Sequence, residues 1–434
     1  MKSMLQRSER DCGLAPEQRS VAQISHADLT ALLGAFCFIL SAIEYMLPKP
    51  LPFMRLGIAN LPILLAVDLL PFPWYLTLAV VKVIGMSIIS GTLFSFVALF
   101  SLLGTFSAAL VMWAARKAGG RWITQIGVSI VGAITSNAIQ IFVARYVVFG
   151  EVAWLIAPLF VLTGLVTGTT LGIFAAHFAE TSQWYAYASG MHQGGDILSV
   201  PKIGAESLSH SVTNQKKQKK GETRARRRQR FESMFTPWQL ALAGAALAFI
   251  FLFERRLAVK ATLFIFFILA TYVAGKRFSL LTTLLVSAGI VLTNLLIPSG
   301  RVLARLGPLT ITEFALTEGL LKALTFEGLM FLSKASIMPG LTIPGKLGSI
   351  VSSAFLYYDR IIEYKGKVLP ATMSSDIDAM MFAVWQRELG TDSTGANSAA
   401  TAVAKAAPHA PKSLTGPVIL ILITVLALIF SILF

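Results

Sequence analysis

Glu44, Arg55, Asn60, Lys82, Asn137 and Gln140 all lie within or at the rim of long apolar runs in a 434-residue chain. An ionisable or amide side chain at membrane depth is costly, so each of the six marks a site by default. Two chemistries fit such a set. The groups can join helices through interhelical hydrogen bonds, or they can enclose a polar solute, which needs a few convergent donors and acceptors. Asn137 and Gln140 are three apart, on one face of a helix. Lys82 sits midway through its run, where a lone ammonium requires a partner or a wet pocket. Arg55 and Lys82 against Glu44 leave the set net positive, which favours an anionic or phosphate-bearing solute. Asp68, near the far end of its run, reads as interfacial.

Other chemistries are absent from the sequence. No D-D-x-x-D clusters occur to hold magnesium on a diphosphate, and there is no H-E-x-x-H or C-x-x-C. His26, His177, His192, His210 and His409 are too dispersed for a metal site, and Cys12 and Cys37 make no disulfide framework. Gly340 to Leu347 fits G-x-x-x-x-G-K but carries Leu where Ser or Thr should hold Mg²⁺, with no preceding strand. No catalytic residue, metal or cofactor is expected, and no haem, iron–sulfur or flavin-attachment motif is present.

The elements that must position these residues are membrane helices. The chain is 55% hydrophobic and only 14% charged, with a mean hydropathy of +0.70, whereas soluble domains carry about 25% charged residues. The runs are long and continuous, without the alternation of an outer-membrane barrel. An all-α polytopic protein of about eleven spans is expected. Six lie near 27–47, 57–70, 74–90, 96–115, 124–146 and 153–178, four at 238–253, 257–274, 279–297 and 313–337, and one at 414–434. From Met338 to about Lys365 the pattern is amphipathic, suiting a helix at the interface or along a partner.

The net charge of +15 is concentrated: ten Lys and Arg fall between Lys202 and Arg230. With the N-terminus inside, the first half places seventeen Lys and Arg on cytoplasmic segments, and only Lys49 and Arg55 outside. That asymmetry orients a protein of the cytoplasmic membrane and makes the basic stretch an anchor beside anionic lipid, not a nucleic-acid site. The expected organisation is a cytoplasmic N-terminus (1–26), a six-helix membrane domain (27–180), a disordered basic linker (181–235), a second membrane region (236–389), a flexible linker (390–413) and a final span (414–434).

Residues 28–178 resemble the family named heptaprenyl diphosphate synthase component I, also called the Gx transporter family. The resemblance is carried by Glu44, Arg55-Leu-Gly-Ile-Ala-Asn60, Lys82 with Gly91-Thr92, Ser101-Leu-Leu-Gly104, Met112, Ile126 to Ala133, Asn137 and Gln140. It implies the substrate-binding (S) component of an energy-coupling factor transporter, a six-helix protein that binds one small molecule, often a vitamin. Such components dock a small-xxx-small stripe of the first helix on the transmembrane coupling (T) subunit, and Ala27, Ala31 and Ala35 stand at the matching place. More weakly, Pro298-Ser-Gly300, Leu306-Gly-Pro-Leu-Thr-Ile-Thr312, Glu318-Gly-Leu320 and Ser333 resemble the T component. The Ala-Arg-Gly or Ala-Arg-Ser motifs with which T components grip ATPases are missing from 338–412.

The resemblance implies an S–T fusion that imports a small organic solute, driven by separate cytoplasmic ATP-binding-cassette ATPases, and is not itself an enzyme. Two alternatives stand beside it: a membrane component of isoprenoid diphosphate synthesis, and a subunit of a flavin or quinone redox system.

Overall fold

The structure, a computed structural model, describes residues 25–46, 56–190, 226–276, 278–296, 300–306, 309–338, 340–341, 343–363, 373–389 and 415–433. Arg55, the N-terminal segment 1–24 and the stretch 390–413 lie outside them. The described chain is helical apart from one antiparallel hairpin, so the all-α expectation holds. In the N-terminal half α1 (His26–Met46) leads through a 3-10 turn (Ile58–Asn60) into α2 (Leu61–Leu69), α3 (Phe72–Ser90), α4 (Phe96–Gly119) and α5 (Gln125–Ala144). A π turn (Arg145–Phe149) and a 3-10 turn (Gly150–Val152) connect α5 to α6 (Ala153–Thr181), and a short α7 (Gln183–Ala188) comes after it. The C-terminal half comprises α8 (Arg226–Met234), α9 (Pro237–Phe253), α10 (Leu257–Val273) and α11 (Leu280–Leu295). The hairpin β1 (Val302–Leu306) and β2 (Leu309–Thr312) comes next, then α12 (Glu313–Ser336), α13 (Gly345–Glu363), α14 (Met373–Leu389) and α15 (Thr415–Leu433).

Each of the eleven apolar runs is a helix, but not each helix spans a membrane by length and composition alone. Four candidates do, within His26–Glu44, Phe72–Ser90, Phe96–Gly119 and Gln125–Thr181, and a fifth if the bent pair α8 and α9 is one span. Among the described residues these criteria thus support four or five spans and do not confirm eleven. Helix α2 has nine residues, about 14 Å of rise against a hydrocarbon core of about 30 Å. Helix α12 has the length, but Glu313, Glu318, Lys322, Glu327 and Lys334 interrupt its apolar character. The exposed apolar residues Leu155, Leu162 and Val166 on α6, Leu281 and Leu284 on α11, and Ile421 and Val425 on α15 make faces suited to lipid and not to water.

The stretch expected to be a disordered linker over 181–235 instead begins and ends in helix. The Ser182 hydroxyl accepts from Tyr185 N and caps α7, and Trp184 and Tyr185 are buried. At the other end Phe231 and Phe235 give α8 something to pack. Residues 191–225 between them lie outside the described residues.

The two halves share cores. Phe100, Ile141, Val148 and Phe160 of the first half pack with Val286, Ile290, Ala323 and Phe326 of the second. The amphipathic stretch after Met338 forms α13, which lies along α1: Phe355 and Tyr358 flank Phe38, with ring centroids 5.3 and 6.0 Å away. Helix α14 meets α7, where the Asp378 carboxylate accepts from the Ser182 hydroxyl, from Trp184 N (2.9 Å) and from Gln183 N (3.2 Å). Asp378 thus caps a helix of the other half. Asp378→Ala removes that cap at a cost of about 1–2 kcal/mol; the expected result is a lower melting temperature together with faster proteolysis at residues 183–188. A variant with parental melting and proteolysis would show that this contact does not hold the halves together.

Candidate solute-binding site

The geometry begins at Gly57, whose φ of +85° starts the 3-10 turn in a left-handed conformation open to glycine. The turn then presents its N–H groups to the last part of α1. Glu44, 5% exposed, accepts from Leu56 N (2.9 Å) and Ala59 N (3.3 Å). A carboxylate at the N-terminus of a short helical segment satisfies donors that otherwise have no intrahelical partner. Asn60 closes the turn, and its side-chain oxygen accepts from Lys82 Nζ. Lys82, 3% exposed on α3, also donates to the Thr105 hydroxyl of α4 at 3.2 Å. A continuous polar line therefore runs from α1 through the turn to α3 and α4.

The opposite wall comes from α5. Asn137 Nδ2 donates to the Phe160 carbonyl of α6 (2.7 Å), and Gln140 Nε2 reaches Ser136 Oγ (3.2 Å) and Asn137 Oδ1 (3.4 Å). Gly104, next to Thr105, lets α4 approach this wall: a Cβ there would stand 2.9 Å from Ser136 Oγ and 3.5 Å from Gln140 Nε2. Between the walls is a cavity lined by Gly57, Asn60, Met112, Gly132, Ser136 and Asn137, among others. Its volume is about 20 Å³, on a scale where one water needs about 10–15 Å³. That is room for water and not for an organic solute. Met112, whose Cγ would be 2.5 Å from a Cβ at Gly132, is the unbranched side chain best able to move aside.

Of the six residues singled out in the sequence, Asn60 and Asn137 line the cavity, Lys82 and Gln140 are bonded directly to groups at its walls, and Glu44 holds the turn. Arg55 lies outside the described residues. Ala31 and Ala35 are buried in the core that also holds Ile350, Val351 and Ala354 of α13, while Ala27 is half-buried against it. Gly34 faces Val81 and Ala354. Asp68 pairs with Arg116 at 2.8 Å at the other end of α2, away from the cavity.

Sequence reasoning missed Thr105 and Ser136, because a hydroxyl in a helix is usually bonded to its own backbone and gives no signal. It also passed over a second polar group in the other half. Lys260 donates to Thr325 (2.7 Å) beneath the Phe251 ring, Thr271 to the Phe331 carbonyl (2.9 Å), and Lys322 to Asn294 (2.9 Å). Lysines in apolar runs were the available signal. Among the described residues no group of three or more His, Cys, Asp or Glu could hold a metal ion.

Residues 33–178 match the model of the family described as heptaprenyl diphosphate synthase component I, and the resemblance of the N-terminal half is thereby shown. Residues 239–338 match a model described as a domain of unknown function, DUF8519. No curated protein and no solved structure matches the chain.

Proposed function

We propose that the chain is the substrate-binding and coupling component of an energy-coupling-factor-type importer, an S–T fusion that takes up a small organic solute of the vitamin or anionic cofactor-precursor class. The observation that carries this is the buried polar line from Glu44 through Asn60 to Lys82 and Thr105, whose Asn60 shares one cavity with Ser136 and Asn137, the groups that Gln140 bonds. Donors and acceptors converging between helices are what a bundle needs to hold a polar solute out of lipid. The contacts of α13 with α1 and of α14 with α7 support a coupling role for the C-terminal half, with the Ala31 and Ala35 face as the docking surface. In this reading all eleven apolar helices enter the bilayer of the cytoplasmic membrane and the N-terminus and basic stretch are cytoplasmic. ATP is hydrolysed by separate subunits.

Purifying the chain from its native membrane and identifying what accompanies it tests the proposal. An ATP-binding-cassette ATPase and a bound small solute are the expected companions, with solute uptake by vesicles requiring ATP. The family's description favours one other reading, delivery of an isoprenoid diphosphate. A prenyl diphosphate synthase co-purifying with no ATPase would replace the importer with that role.

A further inference from the structure

Four arginines fall within the nine residues of α8, at 226, 227, 228 and 230, against one acid, Glu232. The corner at the end of this helix fixes where they point. Thr236 precedes Pro237, and a residue before proline is driven out of the helical region; its ψ is 147°. The chain then restarts at once, with Thr236 and Gln239 forming a reciprocal capping box. The result is a bend of 87° between α8 and α9. Helix α9 exposes Leu242, Phe249, Leu252 and Phe253, a face for lipid, and α8 stands at right angles to it. With α9 entering the bilayer, as the proposed function has it, α8 runs in the plane of the bilayer surface.

The corner is fixed in place. Phe231 and Phe235 pack with Leu240, Met338 and Leu420. Gly416 of α15 abuts the Met234 carbonyl and the Phe235 ring so closely that a Cβ there would collide. Arg227 lies over the Tyr272 ring at 4.2 Å, and nearby Lys276 donates to the Ile337 carbonyl at 3.0 Å. One arginine is thus spent on holding α8, and Arg228 is paired with Glu232 at 2.6 Å yet remains 48% exposed. Arg226, Arg228 and Arg230 are exposed, with Gln229 among them.

We propose that α8 is a headgroup-binding helix: its arginine face seats on the anionic phospholipids of the bilayer surface and sets the position of the C-terminal half in the membrane. The charge matches, since anionic headgroups attract basic residues placed within a screening length of the surface. The geometry matches, because a pinned helix in the surface plane presents its cations without further ordering. A free basic arm would have to lose conformational entropy first.

The test uses the full chain with Cys12→Ser and Gln229→Cys, labelled at residue 229 with an environment-sensitive fluorophore; Cys37 is fully buried. The protein is placed in nanodiscs of phosphatidylcholine alone or mixed with phosphatidylglycerol. The expected result is a blue-shifted emission and roughly threefold weaker acrylamide quenching with phosphatidylglycerol, both lost in about 1 M salt, where screening acts within about 3 Å. Replacing Arg226, Arg228 and Arg230 together by Gln, all on the exposed face, should make the two nanodiscs equivalent. Equal quenching of the parent in both, or a phosphatidylglycerol effect that survives the triple replacement, overturns the proposal. So does protection reproduced in pure phosphatidylcholine by free phosphate.

Discussion

Lys82→Met is expected to abolish solute uptake while the protein still inserts and folds. Lys82 is the one described cation on the polar line, and its ammonium joins the turn at Asn60 to α4 at Thr105. Met roughly matches the aliphatic stem, so the core around it keeps its packing. What disappears is the charge and its donors, leaving the Asn60 and Thr105 oxygens short of a partner at a cost of about 1–3 kcal/mol each. Removal of a buried cation recovers part of that loss. Under the proposed function the net expectation is a modest fall in melting temperature and a fall in uptake of about 100-fold or more, the factor that a loss of about 2.7 kcal/mol corresponds to. Uptake in vesicles and melting followed by size-exclusion chromatography check the two halves of the statement. Thr105→Val separates the causes: it removes one partner of Lys82 but keeps the charge, so it should lower the melting temperature with far less effect on uptake. A Lys82→Met protein with parental uptake would make Lys82 a helix-joining residue only, and the case for an anionic solute would lose its main support.

Legibility in the sequence tracks energetic cost. Glu44, Asn60, Lys82, Asn137 and Gln140 were legible because charge and amide groups at depth must be satisfied by something, and all five are. Thr105 and Ser136 carry no such penalty in sequence, since a helical hydroxyl can always bond the preceding turn, as Thr325 does to the Leu321 carbonyl at 2.6 Å. The eleven apolar runs were legible as helices because apolarity is local. Their status as spans was not, because length and the charges of α12 decide that, and a window of hydropathy does not see a nine-residue helix ending at Leu69. The amphipathic pattern after Met338 left a helix at the membrane interface and one along a partner equally open, and did not say that α13 lies along α1 of the same chain. Arg227 is a similar case: the charge run was plain, but its stacking on Tyr272 depends on a bend that only the Thr236-Pro237 step foretells.

Gly168→Leu is expected to unfold the N-terminal half. Gly164, Gly168 and Gly172 recur every fourth residue on α6, a small-xxx-small face that lets two membrane helices touch backbone to backbone. A Cβ at Gly168 would stand 2.9 Å from Ile130 Cα, 3.0 Å from Ala133 Cβ and 3.3 Å from the Ser129 carbonyl; at Gly172 it would meet Ile126 Cα at 2.6 Å. Those neighbours are mostly the backbone of α5 and cannot rotate away. The added side chain therefore has to push α5 and α6 apart, which forfeits dispersion along the whole contact and typically costs about 1–3 kcal/mol or more. The separation also reaches the site. Asn137 Nδ2 would be 2.8 Å from a Cβ at Gly164 and spans to the Phe160 carbonyl at 2.7 Å, a bond that cannot survive a shift of about 1 Å. The expected result is little folded protein after detergent extraction, and no uptake from what remains. Gly289 on α11 is the control, since nothing lies within 4 Å of its would-be Cβ. Gly289→Ala should be neutral or stabilising by up to about 1 kcal/mol, as alanine replaces glycine within a helix. Equal yields of Gly168→Leu and Gly289→Ala would contradict the close contact of α5 with α6, and with it the wall that carries Asn137 and Gln140.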